Sequence, residues 1–500
     1  MPHPTFPFIL ILIFGAVVLG VSYYLSSKFG RISHDVEDYF TMNKQLRAKQ
    51  LGASFLAADM SIATVVLALG VVGYQFGFWA AVWITICWLV GTGLFLLLIR
   101  KPPLAAHLKA GSTLHEAIGS AYDQSGGWPV VRLSASAVTI IVFFFTIGVE
   151  FFAGYVVFSK LPGGIAPFIC AITIALVVVL FTVAGGYRGT TNINIPRLVL
   201  VLLSFIILGF IGVRYQIHYL PGQAHLIFGS LHLDVSWMVG IVIALIPAQL
   251  AAMDMWQRCV AAGGDFSQIR RGLLGAMPMY AVWLVPPYLG ALARLLQLPA
   301  FNIEDTKLNY IVLDVLGKVH PVGVWWSYLW QPLLYAGIIA TIGCTADSLL
   351  NAMTFTGVFD IYLVLKKVDP NTLTHKQKTD LLSTAKLAVA MAGIASLGVL
   401  FIGLFEARIY DLVAALFSVQ VILFWPVLFI ICGRKKLLNW APKIACCGLA
   451  FGMFSALIFL ILAITLHQRS LMDYAPLAAT VTTGSFYAVL FVRAPKKAAS

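Results

Sequence analysis

Charge is what this chain has least of. Asp, Glu, Lys and Arg make up 11% of its 500 residues, against about 25% in a soluble globular domain. Other things are missing too. There is no GxxxxGK[ST] loop, so no ATP motor of that type. There is no HExxH and no GxSxG, which leaves metalloprotease and serine-hydrolase chemistry without a foothold; the sequence reads as that of a non-enzyme. No N-x-S/T sequon occurs. Seven cysteines are scattered, mostly inside apolar runs, with no metal-ligand spacing. The first apolar run lacks a small-residue cleavage site and reads as a true span.

What is present is apolar. Hydrophobic residues make up 60% of the chain and mean hydropathy is +0.92, the composition of an all-α polytopic membrane protein. Runs of about 20 apolar residues, enough to cross a bilayer, fall near 6–27, 50–74, 78–99, 133–158, 164–184, 197–213, 236–256, 272–296, 326–364, 382–404, 409–432, 442–466 and 474–492. That is about thirteen spans. The run at 326–364 is too long for one perpendicular helix and must tilt or extend beyond the bilayer. The net charge of +13 does not form a nucleic-acid patch, because the basic residues sit in short clusters between spans. With the N-terminus outside and the C-terminus inside, about 26 of the 33 Lys and Arg fall on the cytoplasmic side, as the positive-inside rule requires. The expected location is a multi-pass cell membrane, of the bacterial inner-membrane kind.

The second run, Leu51 to Trp79, carries Asp59 beside Ser61, among small residues. A carboxylate at that depth costs about 2.5–3.5 kcal/mol on insertion scales and marks a functional site by default. Small and polar residues at Ala57-Ala58-Asp59-Met60-Ser61 weaken the helix. Unwinding there would free the carbonyls of Ala57 and Met60 beside the side-chain oxygens of Asp59 and Ser61, a cation-coordinating arrangement. A polar contact between helices explains the same residues less specifically. On the ninth run, Thr341, Cys344, Thr345 and Ser348 fall within an arc of about 100°, with Asp347 at its flank. Further carboxyls and amides lie at Glu150 on the fourth run and Gln249 on the seventh. Asp254 and Arg258, four residues apart, read as a structural pair.

Several of these segments resemble one family. EDYFTMNKQLRAKQLGASFLAADMS is similar to the entry into the first core helix of the sodium:solute symporters, in the form closest to the proline-permease branch. CTADSLL followed by FDIY, FFFTIG at 143–148 and WQRCVAA at 256–262 resemble further segments of that family. The resemblance runs from about residue 37 to 436. It implies an inverted five-helix-repeat core, with repeats at about 48–215 and 236–433. Residues 1–36 would hold a peripheral helix and linker, and 437–500 two peripheral helices with a basic tail. It also implies a sodium site from the carbonyls of Ala57, Met60 and Thr341 with Thr345 and the residue at 344, supported by Asp59 and Ser61.

The departures from the family pattern are specific. Cys344 replaces the usual Ser, and a thiol is a poor ligand for a hard cation. Asn194 stands where Asp is usual and Arg197 where Gln is usual. Asp347 is an unusual carboxylate, and a buried carboxyl is a candidate proton carrier. Coupling to protons, or to one sodium plus a proton, is therefore an expectation alongside sodium alone. Thr64, Gly148, Glu150 and Gln249 are the candidate substrate residues, Gly148 replacing an aromatic of the proline branch. The function expected is cation-coupled import of a small organic solute, an amino acid or related compound, with no organic cofactor. The alternative is a solute sensor of the same fold that signals through a partner.

Overall fold

Two glycine pairs set where the centre of this molecule lies. The computed structural model of the chain describes residues 5–31, 33, 35–123, 128–160, 167–219, 222, 224–228, 235–296, 306–318, 326–403, 408–431, 441–466 and 469–493. In chain order the main helices are α1 (Thr5–Gly30), α2 (Ala48–Asp59), α3 (Leu69–Phe76), α4 (Phe78–Ile99), α5 (Val130–Phe158), α6 (Pro167–Tyr219), α7 (Val235–Ala251), α8 (Met253–Ala261), α9 (Phe266–Ala276), α10 (Val285–Leu295), α11 (Trp326–Thr356), α12 (His375–Ser396), α13 (Ile409–Gln420), α14 (Phe424–Ile431), α15 (Ala441–Thr465) and α16 (Ala475–Arg493). No strand occurs among the described residues.

Among the described residues, ten helices are long and apolar enough to cross a membrane, or eleven when the bent pair around residue 60 counts as one span. The expected thirteen differ from this in two identifiable places. Helix α6 has 53 residues, about 80 Å at 1.5 Å per residue, far longer than a bilayer is thick. Its backbone turns at Gly186 (φ 53°, ψ −159°), so it holds the two runs expected at 164–184 and 197–213. The last expected run, at 474–492, corresponds to α16. The long run at 326–364 is continuous helix from α11 through a π-helical stretch, Gly357–Tyr362.

Burial sorts centre from periphery. Of the most apolar window in the helix spanning Trp330–Leu365, 89% is buried, against 22% in the first span. The first span nevertheless docks tightly. Ser26 Oγ donates to the Phe181 carbonyl at 2.7 Å, and a Cβ added at Gly185 would collide with Ser26. Small residues permit this close crossing, as is usual between helices in lipid. On α6, Val199, Ile206 and Phe210 are each more than 60% exposed. Their spacing puts them on one apolar outer face, suited to lipid.

The second span and the eighth run side by side, each in two parts. Gly52 of α2 meets Gly272 of α9, where an added Cβ would lie 2.5 Å from a backbone oxygen. Beyond the break, Gly73 of α3 packs on the Pro287 backbone, and Gly290 of α10 packs on Gly70. Between these two crossings the eighth span tightens into a 3-10 stretch, Met277–Leu284, with prolines at 278, 286 and 287 that interrupt regular pairing. The backbone contacts above and below therefore place Tyr280 directly opposite the break in the second span.

Candidate functional site

The second span breaks at Met60 (φ −81°, ψ 59°) and Ser61 (φ −74°, ψ 136°), and the two parts bend by 55°. The cause is Glu150. Its fully buried carboxylate accepts from Ser61 Oγ at 2.6 Å, from the Ile62 amide at 2.8 Å and from the Ala63 amide at 3.2 Å. In a continuous helix those two amides would bond the carbonyls of Ala58 and Asp59. Glu150 diverts them, so those carbonyls are released and the negative charge sits at the positive end of the following helix. Ser61 adds a cap, its Oγ accepting from the Thr64 amide at 2.9 Å. Glu150 is thus a positioning residue for the break, and it does not line the cavity described below.

The seventh span is broken too. Ala252 (φ −77°, ψ 105°) separates α7 from α8, after a proline at 247 in the preceding helix. Asp254 lies in the first turn of α8 and takes Arg258 Nη1 at 2.6 Å, the structural pair expected from their spacing. Arg258 is 1% exposed and its Nη2 also reaches the Ser54 carbonyl at 3.4 Å, tying α8 to α2.

Asp59 turns toward neither Glu150 nor the ninth span. Its Oδ2 accepts from Trp88 Nε1 at 3.1 Å and from the Tyr280 hydroxyl. Both donors use the same oxygen. Oδ1 has no hydrogen-bond partner among the described residues. Tyr280 was not singled out in the sequence, since nothing local marks it; the 3-10 stretch that presents it could have been suspected from the prolines.

Between the two breaks lies a cavity enclosing about 920 Å³ of non-atom space, part of it open to the outside. It is lined on one side by Asp59, Ser61 and Thr64, and on the other by Gln249 and Asp254. Gln249 is 2% exposed, and its amide has no hydrogen-bond partner among the described residues. Aromatic rings close the cavity: Trp88 and Trp283 have centroids 5.4 Å apart, and Phe417 stands edge-on to Trp88 at 6.0 Å. A second, more apolar cavity of about 610 Å³ adjoins the first and shares Thr64, Val413 and Phe417 with it. At its other side Trp237 Nε1 donates to the Tyr410 hydroxyl at 3.0 Å. Of the expected substrate residues, Thr64 and Gln249 line the first cavity. Gly148 does not: it faces away, against Val399 and the Ser396 carbonyl, which an added Cβ would approach to 2.8 Å.

The ninth span supplies the facing wall. Thr345 lines the cavity, and its Oγ1 donates at 3.0 Å to the Ala58 carbonyl, one of the two that Glu150 releases. The carbonyls expected to come free are those of Ala57 and Met60; the amides that Glu150 captures add Ala58 and Asp59, and the Thr64 amide, bonded to Ser61 Oγ, is likewise diverted from the Met60 carbonyl. Thr341 Oγ1 donates to the Gly337 carbonyl at 2.8 Å within its own helix. Cys344 is fully buried. Asp347, expected as a proton carrier, lies outside the cavity and is ion-paired: Arg197 Nη1 reaches its Oδ2 at 2.7 Å, and both side chains are buried. Arg197 Nε continues to Ser22 Oγ at 3.0 Å, and its guanidinium stacks 4.1 Å from the Phe181 ring. The two sequence departures at 197 and 347 therefore complement each other.

A second buried network holds one end of the ninth span. Asp360 accepts from Thr113 Oγ1 at 2.5 Å and Arg132 Nε at 2.9 Å, and pairs with His115 Nδ1 at 3.1 Å. The other ring nitrogen of His115 meets Thr139 Oγ1 at 2.8 Å. The sequence gives Asp360 only as part of FDIY; its partners lie far away in the chain.

No family model matches the chain, and no curated protein matches it in sequence. Solved structures do. A Na+-coupled sialic acid symporter in its substrate-bound outward-open state aligns over 98% of this chain and 99% of its own, with a TM-score of 0.71 at 18% identity. Mhp1, a nucleobase-cation-symport-1 family transporter in a closed conformation with bromovinylhydantoin bound, aligns over 91% and 95%, with a TM-score of 0.52 at 13% identity. The two broken spans bracketing a central cavity, and these alignments over nearly the whole chain, establish that the protein has the all-helical, inverted-repeat fold of these transporters.

Proposed function

We propose that the chain is a secondary active symporter that uses a cation gradient, sodium first, to import a small organic solute. One observation carries the reading: a cavity bounded by two broken helices, with the released Ala58 carbonyl facing Thr345. Discontinuous helices at mid-membrane supply free backbone oxygens and half-helix ends, which is how such transporters hold a cation and a solute together. The cation is assigned to oxygens of the broken second span, at 57–60, with Thr345 and the Thr341 carbonyl opposite. Asp59 and Ser61 support that region.

In the proposed orientation, with the N-terminus outside, the second cavity is the outer approach. Val413 and Phe417, with Thr64, separate it from the solute site. Cation entry bridges the second and ninth spans and favours the state open to that approach. Solute then fills the central cavity, and the core of two repeats (about 48–215 and 236–433) rocks to release both inside. One charge crossing 100 mV supplies about 2.3 kcal/mol. Asp347, held by Arg197, is assigned a structural role rather than proton transfer.

The test is a substrate panel in proteoliposomes containing the purified full chain, with sodium and proton gradients imposed separately. Gradient-driven uptake and counterflow support the reading. Saturable binding with neither uptake nor counterflow would overturn it in favour of a sensor.

A further inference from the structure

The symport reading leaves the chemistry of the solute open, and the cavity narrows it. This inference rests on that reading only in taking the cavity as the solute site. Half-helix N-termini at such sites are natural receivers for anionic groups. Here one is already occupied from within, and the other, which no side chain caps, has a carboxylate in its first turn. The amides of Ile62 and Ala63 are bonded to Glu150, and the first turn of α8 carries its own carboxylate, Asp254. Among the described residues, no Lys, Arg or His lines the cavity. Arg258, the buried cation beside the cavity-lining Asp254, is neutralised by it at 2.6 Å. A solute carboxylate would find no cationic side chain among the described lining residues and would face Asp59, whose partners Trp88 and Tyr280 are neutral.

The opposite charge finds what it needs. Asp59 presents Oδ1 without a partner, Gln249 presents a buried unpartnered amide, and Trp88, Trp283 and Phe417 stand beside Asp59 as a ring cluster. Aromatic faces with an adjacent carboxylate attract ammonium groups, and the wide apolar wall accepts a hydrocarbon body. We propose that the cavity selects an organic amine or ammonium with an apolar body and rejects carboxylates, with Asp59 as the charge partner.

Three probes sharing a phenyl body separate the charges: phenethylamine, phenylalanine and 3-phenylpropionate, titrated calorimetrically into the purified full chain. Phenethylamine is expected to bind at least about tenfold more tightly than phenylalanine, and 3-phenylpropionate not at all. Asp59→Asn should weaken phenethylamine about tenfold. If that variant does not fold, Trp283→Leu is expected to weaken it comparably. Equal or tighter binding of either carboxylate, or no binding of any probe at millimolar concentration, overturns the proposal. Amine binding without gradient-driven uptake would leave this inference intact and remove the symport reading. Gradient-driven uptake of a carboxylate with no amine binding would do the reverse.

Discussion

The Arg197 guanidinium donates to the Asp347 carboxylate at 2.7 Å, joining the sixth and eleventh helices by a fully buried ion pair. A buried pair adds little net stability, but removing one partner strands the other charge at a cost of about 3–5 kcal/mol. Asp347→Asn should therefore lower the thermal unfolding midpoint of the purified protein sharply. The double variant Arg197→Gln with Asp347→Asn should recover most of that loss. A single variant as stable as the parent would show that the pair is not formed.

Glu150 makes three hydrogen bonds across the break, and hydrogen bonds to a charged group contribute about 1.5–3 kcal/mol each. Glu150→Ala removes the acceptor of two buried amides, which then either stay unsatisfied or straighten the span by returning to the Ala58 and Asp59 carbonyls. The expected result is loss of solute counterflow together with reduced stability. Full counterflow in Glu150→Ala would mean that the break holds without this carboxylate.

Thr345→Val keeps the shape and removes the hydroxyl that meets the Ala58 carbonyl. Apparent sodium affinity, read from sodium activation of uptake, should fall about tenfold, equivalent to about 1.4 kcal/mol. Cys344→Ser replaces a soft thiol with a hard oxygen and should move the same curve the other way. Parallel shifts in both variants would place the cation elsewhere.

Asp360 ties Thr113, His115 and Arg132 to the end of the ninth span. Asp360→Asn removes the charge that Arg132 and Thr113 share, and is expected to cost about 3 kcal/mol or more. The readout is the unfolding midpoint, with Thr113→Val, which removes one hydrogen bond, expected to cost about 1 kcal/mol. Similar midpoints for the two variants would contradict the central place given to the carboxylate.

How far the sequence speaks depends on the distance between partners. The weak point of the second span is legible because small and polar residues at 57–61 announce it locally. Asp254 and Arg258 are legible because four residues bring them onto one helix face. Asp347 and Arg197 are each conspicuous, yet they are 150 residues apart, and no periodicity joins them. Glu150 is visible as a costly carboxyl, but its partners, the amides of Ile62 and Ala63, are groups every residue possesses. Tyr280 is ordinary in the chain and is singled out only by the glycine crossings on either side of it. The runs at 164–184 and 197–213 read as two spans because polar residues separate them, and the turn at Gly186 divides the single long helix α6 in that interval.

The break at Met60–Ser61 also has an order in time. Ser61 is made 89 residues before Glu150, and a chain entering a membrane does so from its N-terminal end. Until the fifth helix arrives, the amides of Ile62 and Ala63 have no carboxylate to bond, and in lipid they must close onto their own helix. The full bend of the second span therefore depends on a carboxylate that the segment does not itself contain. The bent centre of the finished protein is completed by a later segment, on a weak point that the second span itself carries.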